Sequence, residues 1–181
     1  MLATQKLDGI TGRGARFGAV LVAAIADTHL PRGARRIPDA CLERLRAADL
    51  ILHAGDVSTL AVLEELRALG PPVHAVFGNA DTPELRELLP KELVVEAGGA
   101  RIGMAHVPGP DAGHEVRLAK RFPGCDAVVY GHTHRPEVAR HGRVWILNPG
   151  SPTERRKAPQ HTMLVLEIEA GEIRPELVVL D

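Results

Sequence analysis

Apolar positions along this chain come in short unbroken runs, and run after run ends in Gly, Asp, Asn or His. "AVLVAAIAD" (19–27) is continuous and partly β-branched, the pattern of a strand buried on both faces. "LILHAGD" (50–56) and "PVHAVFGNAD" (72–81) repeat that pattern. Between them, "PDACLERLRAADL" (38–50) sets Ala40, Cys41, Leu45 and Ala48 at helical spacing behind Pro38. "TLAVLEELRALG" (59–70) predicts a second helix, with Ser58 as its cap and Gly70 at its end. Thr82-Pro83-Glu84 opens a short third helix, and residues 113–122 suggest a fourth. "ELVVEAGGARIGMAH" (92–106) predicts two strands around a Gly98-Gly99 turn. "CDAVVYGHTH" (125–134) and "RVWILNPGS" (143–151) read as strands, and "TMLVLEIEAGEIRPELVVL" (162–180) as a closing hairpin around Gly171.

Strands and helices alternate in the first half and strands dominate the second, which predicts an α/β domain with mixed sheets. With 181 residues and no linker, repeat or low-complexity block, residues 18–181 are expected to form a single domain. Residues 1–17 are rich in Gly and polar side chains and show no period; they are expected to be a flexible N-terminal extension and are not read as a signal peptide. Aromatic residues make up only 3%, so the core falls to Val, Leu, Ile and Ala. A net charge of −1 gives no electrostatic case for stable nucleic-acid binding. The apolar runs are too short to span a membrane, so no membrane association is expected. The two cysteines, Cys41 and Cys125, form no CxxC pair, which fits a reducing, cytoplasmic setting.

The polar residues at the strand ends carry the candidate chemistry. One run ends in Asp27-Thr28-His29, the next in Gly55-Asp56, the next in Gly78-Asn79-Ala80-Asp81, a later one in His106, and another in Gly131-His132-Thr133-His134. In open α/β sheets, sites form beyond the carboxyl ends of strands. Carboxylates gathered there without a cation would repel one another and lose their charge. Asp27, His29, Asp56, Asn79, His106, His132 and His134 are nitrogen and oxygen donors with no thiolate among them, suited to Mn, Fe, Zn or Ni. Seven are too many for one tetrahedral ion and suit two ions about 3.5–4 Å apart. The i, i+2 spacing of Asp27 with His29, and of His132 with His134, would point each pair the same way from an extended backbone. Glycines before Asp56, Asn79 and His132 would let the chain turn sharply there.

The ordered set "DTH", "HAGD", "GNAD", the lone His106, "GHTH" and "NPGS" resembles the calcineurin-like metallophosphoesterases, most of all their small single-domain branch, the YfcE-type phosphodiesterases. The resemblance covers residues 19–181. It implies two packed mixed β-sheets flanked by helices, a fold classed as α/β or, in some schemes, α+β. It implies that Asp27, His29 and His134 hold one divalent metal, that Asn79, His106 and His132 hold the other, and that Asp56 bridges them, with Mn the favoured ion. The reaction implied is in-line attack on a small phosphodiester or phosphomonoester by a hydroxide bridging the metals, with Asp56, Asn79 and His106 at the chemistry. A homo-oligomer is compatible with the resemblance. The rival reading is a non-catalytic interaction scaffold on the same fold, as in Vps29.

Two positions depart from the family pattern. Many members carry "GNHD", whose His protonates the leaving oxygen, and Ala80 stands there here. Phosphodiesters with good leaving groups are therefore the expected substrates. Val107 follows His106 where a Gly is common, so the turn behind His106 is expected to differ. Around the set, Arg135 could reach a phosphate, His53 is expected to support the site from its strand, and Asp81 either orients a ligand or caps the helix begun by Pro83. "TERRKAP" (153–159) is a basic loop, read as a solvated charge run that could steer an anion.

Overall fold

The structure, a computed structural model, describes residues 3–6 and 18–181. Among these, eleven strands form two mixed sheets packed face to face with four helices outside them. The first sheet has the order β1 (Ala3–Lys6), β5 (Glu92–Ala97), β6 (Ala100–Ala105), β7 (Ala127–Tyr130), β9 (Val144–Asn148), β8 (Glu137–His141). The second has the order β11 (Glu172–Val179), β10 (Thr162–Glu169), β2 (Val20–Ile25), β3 (Leu50–His53), β4 (Val73–Ala75). Helices α1 (Asp39–Ala47), α2 (Leu60–Arg67) and α3 (Pro83–Leu88) cover the second sheet, and α4 (His114–Arg121) covers the first.

This layering explains why the apolar runs are unbroken. Along β2, Val22 and Ala24 face the other sheet, while Ala23 and Ile25 face Cys41, Leu45, Leu63 and Leu66 of the helices. Along β10, Leu164, Leu166 and Ile168 point inward and Met163 and Val165 outward. A strand covered on both faces has no polar side to show. The first sheet repeats this at β7, with Val129 between the sheets and Val128 against Leu118 on α4 and Phe122 just after it.

Four details differ from the sequence expectations. Ala3–Lys6, placed in the N-terminal extension, pair in parallel with Leu93–Glu96 as an edge strand, and the rest of that extension lies outside the described residues. β8 was not anticipated, because an exposed edge strand shows no buried face to betray it. The cap of α2 is Thr59, which makes no side-chain capping bond, whereas Ser58 sits before it at φ +89°. The cap of α3 is Thr82, whose Oγ1 accepts from the Leu85 N–H, so Asp81 is free for another task.

At the end opposite the carboxyl ends of β2, β3, β6 and β7, two hairpin tips touch. Gly98-Gly99 joins β5 to β6, and Ala170-Gly171 joins β10 to β11, with all four residues at positive φ. The Gly171 N–H donates to the Gly98 carbonyl at 2.8 Å, so a turn from each sheet fastens the sandwich at that end. A Cβ on Gly99 would lie 3.1 Å from Gly171 N. Ala170, at φ +49°, occupies a position that Asn or Gly holds with less strain. We expect Ala170→Asn to stabilise the protein by about 0.5–1 kcal/mol and Gly99→Ala to destabilise it by about 1–2 kcal/mol. Thermal and urea denaturation should show a rise of roughly 2–4 °C for the first and a larger fall for the second.

Candidate metal centre

Five parallel strands from both sheets deliver their carboxyl ends to one place. β2 leads to Asp27 and His29, β3 to Asp56, β4 to Asn79, β6 to His106, and β7 to His132 and His134. Backbone bonds stitch the connecting loops together: Asp27 N–H to the Gly55 carbonyl at 3.0 Å, His29 N–H to the Asp56 carbonyl at 3.1 Å, and Gly131 N–H to the His106 carbonyl at 3.1 Å.

All seven sequence-predicted donors come together. His29 Nε2 lies 3.1 Å from His134 Nε2, which in turn is 3.3 Å from Asp27 Oδ1. Asn79 Oδ1 lies 2.8 Å from His132 Nδ1 and 3.2 Å from His106 Nε2. Asp56 Oδ2 sits between the two groups, 3.5 Å from His29 Nε2 and 3.2 Å from His106 Nε2. Ligands 2.0–2.2 Å from one ion stand roughly 3.0–3.5 Å from their neighbours, so these spacings fit coordination shells. Asp27, His29, Asp56, His106 and His134 are buried, while Asn79 is exposed and His132 half-buried, so the cluster opens to solvent on the Asn79 side.

The orientation of each donor is set by a partner on its far side. Asp27 Oδ2 accepts from the His132 N–H at 2.9 Å, and Asp56 Oδ1 from the Ala80 N–H at 2.7 Å, so one oxygen of each carboxylate faces the cluster. Asp27 Oδ1 is buried and accepts no hydrogen bond among the described residues. His106 donates Nδ1–H to the Ala54 carbonyl at 2.8 Å and His134 donates Nδ1–H to the Glu154 carbonyl, so each turns Nε2 to the cluster. A carbonyl behind a ligating imidazole is the usual way to fix its tautomer. An orphaned carboxylate oxygen beside two imidazole nitrogens is a donor set that a divalent cation fits.

The backbone reaches this arrangement by a route the sequence did not suggest. Asp27, His29, Asp56, His132 and His134 have φ of +56°, +47°, +58°, +73° and +56°. The i, i+2 pairs are therefore not extended, and their side chains converge through left-handed bends. Such residues cost about 1–2 kcal/mol each, a strain typical of functional sites. The glycines serve mostly for room. A Cβ on Gly78 would lie 2.1 Å from Asp56 Oδ1, and one on Gly131 would lie 2.7 Å from the Ala54 carbonyl oxygen. Only Gly55, at φ +90°, makes the sharp turn expected of all three.

Burial dominates the electrostatics. It raises the Asp27 carboxyl to about 7, with the Asp56 charge adding to the effect and His106 opposing it. Burial would raise Asp56 too, but the hydrogen bond and charge of His106 and the Ala80 N–H outweigh it and hold Asp56 down to about 2. Burial disfavours charge on His106, yet the bond to Asp56 and the charges of Asp27 and Asp56 prevail and raise its pKa. Burial lowers His134 to about 4 and also lowers His29 and His132, which keeps these rings neutral and able to ligate.

Residues around the cluster find different places. His53 is fully buried, its Nε2 3.2 Å from Thr28 Oγ1, so it supports the Asp27–His29 bend from behind. Asp81 accepts from the Ser58 and Gly78 N–H groups at 2.6 and 2.7 Å and pins the loops carrying Asp56 and Asn79. The turn after His106 is held by Arg121 Nη1 donating to the Val107 carbonyl at 2.9 Å. Arg135 lines a separate cavity of about 280 Å³ with His114, Tyr130 and Glu137. Sequence reasoning missed how much the stretch after β9 does. Asn148 Nδ2 donates to the Gly131 carbonyl at 3.1 Å, Ser151 Oγ to the Asp27 carbonyl at 2.8 Å, and Thr153 Oγ1 to the Thr28 carbonyl at 2.5 Å. "NPGS" was the available signal, since a polar turn ending a buried strand needs partners for its side chains.

The chain is similar to known proteins in sequence and in fold. A probable metallophosphoesterase from Methanothermobacter thermautotrophicus is 35% identical over 162 residues, covering 88% of this chain and 92% of that protein. Another from Methanocaldococcus jannaschii is 35% identical over 155 residues, covering 84% and 78%. The crystal structure of wild-type Vps29 from Entamoeba histolytica, complexed with Zn²⁺, superposes with a TM-score of 0.70 at 27% identity, covering 89% of this chain and 99% of that one. Residues 20–171 match the model of the calcineurin-like phosphoesterase superfamily domain, and this chain belongs to that family of metal-dependent phosphoesterases.

Proposed function

We propose that this protein hydrolyses phosphodiesters, with Asp27, His29 and His134 holding one divalent ion, Asn79, His106 and His132 holding a second, and Asp56 shared between them. The observation that carries this reading is the position of Asp56 Oδ2, within 3.5 Å of a nitrogen from each group, beside the orphaned Asp27 Oδ1. Nitrogen and oxygen donors without thiolate favour Mn, with Ni, Fe or Zn as alternatives. Two such ions, when bound, supply a water of lowered pKa for in-line attack and a clamp on phosphoryl charge. The chain's own side chains do the rest. Asp56 and His106 fix the centre, and Asn79, whose Oδ1 lies 3.2 Å from His106 Nε2, stands on its exposed side, where a phosphoryl oxygen would arrive. No side chain at position 80 can protonate a leaving oxygen, because it is Ala80, and the Ala80 N–H is already spent on Asp56. Substrates whose leaving group departs unaided, such as activated diesters, are therefore favoured. The two buried, unpaired cysteines are compatible with a cytoplasmic setting.

A scaffold without activity is the second reading, supported by the likeness to Vps29. Because the Entamoeba histolytica Vps29 structure is itself a Zn²⁺ complex, metal content does not separate the two readings, whereas turnover does.

Titration of the metal-stripped protein with Mn should give two ions per chain. Asp27 must lose the proton that burial holds to about 7, and His106 must lose one held above its ordinary pKa, so both make affinity fall as pH drops through 7. At a hundredfold excess over Kd, Mn should add about 2.7 kcal/mol of stability, a Tm rise of roughly 5–10 °C. A single ion per chain would refute the dinuclear assignment. In turnover, the Mn-loaded protein should hydrolyse bis(p-nitrophenyl) phosphate, and Asp56→Ala should lose about 10²–10³-fold in kcat/KM. Ala80→His should raise hydrolysis of alkyl phosphates by about tenfold or more, leaving activated aryl diesters little changed.

A further inference from the structure

We infer that Arg156 is the substrate-binding cation of this site, receiving the non-bridging oxygens of the phosphoryl group at the mouth of the cluster. This rests on the phosphoesterase reading and adds a residue outside the seven donors.

The segment carrying Arg156 is tied to the centre from three sides. Ser151 Oγ donates to the Asp27 carbonyl, Thr153 Oγ1 to the Thr28 carbonyl, and the Glu154 carbonyl accepts from His134 Nδ1–H. Glu154 Oε2 lies 4.0 Å from His29 Nε2. Arg156 follows two residues later, so its side chain starts from the rim of the cluster and is exposed. Its backbone is left-handed, φ +48°, a conformation that costs an L-residue about 1–2 kcal/mol.

Three arginines nearby already have partners, and Arg156 has none among the described residues. Arg32 and Arg35 both pair with Glu154, at 3.1 and 3.3 Å, and Arg155 donates to the Pro159 carbonyl at 2.7 Å. Arg156 makes no hydrogen bond or ion pair among the described residues, yet its charge depresses the proton affinity of Asp27, His29, His132 and His134. A guanidinium rooted two residues beyond the Glu154 carbonyl that holds His134, with no carboxylate paired to it among the described residues, opposes the cations that those donors would bind. An incoming phosphate reverses the sign, because its oxygens accept the two parallel N–H groups of the fork. The cations are therefore divided: Arg32, Arg35 and Arg155 hold the structure, while Arg156 and Lys157 have no partner among the described residues, and of these two it is Arg156 whose charge acts on the donors.

The test is calorimetric titration of the Mn-loaded protein with inorganic phosphate, for wild type, Arg156→Ala, Arg156→Lys and, as a control on general charge, Lys157→Ala. Arg156→Ala should weaken phosphate binding about tenfold or more, and Arg156→Lys by less, since it keeps the charge and loses the fork. Lys157→Ala should stay within about twofold. Mn affinity measured on the same metal-stripped variants should be unchanged or tighter in Arg156→Ala, because an opposing cation is gone. The inference is overturned if Arg156→Ala binds phosphate like wild type, if Lys157→Ala loses as much, if phosphate and Mn affinity fall together, or if wild type binds no phosphate. If phosphate binding depends on Arg156 but no phosphoester is hydrolysed, the anion site stands and the enzymatic reading falls.

Discussion

The structure depends on bringing two carboxylates and four imidazoles together where water cannot solvate them well. Asp27 is fully buried with one oxygen that accepts no hydrogen bond among the described residues, and its carboxyl is pushed up to about 7 by that burial. Left alone, such a cluster is a cost, since a buried polar atom without a partner forfeits about 1–3 kcal/mol. Everything around it limits that cost without removing it. Backbone N–H groups hold the far oxygens of Asp27 and Asp56, and carbonyls hold the far nitrogens of His106 and His134. The near atoms are what remains, and they face one another at 2.8–3.5 Å across the cluster.

Two apolar sheets make this arrangement rigid. Strands covered on both faces give the loops fixed starting points, and the loops then use left-handed residues to fold their side chains inward. Hydrogen bonds from Ser58, Asn148, Ser151 and Thr153 cross between loops that are distant in sequence. The strain at five donor residues persists because the surrounding structure over-determines it.

Much of this was legible from the order of residues. Unbroken apolar runs in a chain with alternating helices marked buried strands, and a polar group at the end of each run marked the site. The seven donors were visible because Asp, Asn and His rarely end five buried strands in succession without a shared reason. The backbone conformation was not legible, since Asp27 and His29 read as an extended pair and are a bend. Nor were the roles of Gly78 and Gly131, which depend on atoms of residues far away in the chain. β8 escaped because an edge strand with exposed side chains carries little period, and Asp81 because two loops, and not one helix, use its carboxylate.

The touching hairpin tips have a consequence at a distance. They join the sheets at the end remote from the centre, where Gly171 N–H meets the Gly98 carbonyl. Asp27, His29, Asp56 and Asn79 come from one sheet, and His106, His132 and His134 from the other. The sandwich thus acts as a pair of tongs, pinned at one end and gripping at the other. The spacing between the two halves of the donor set has its far anchor in small residues at the opposite end of the sandwich.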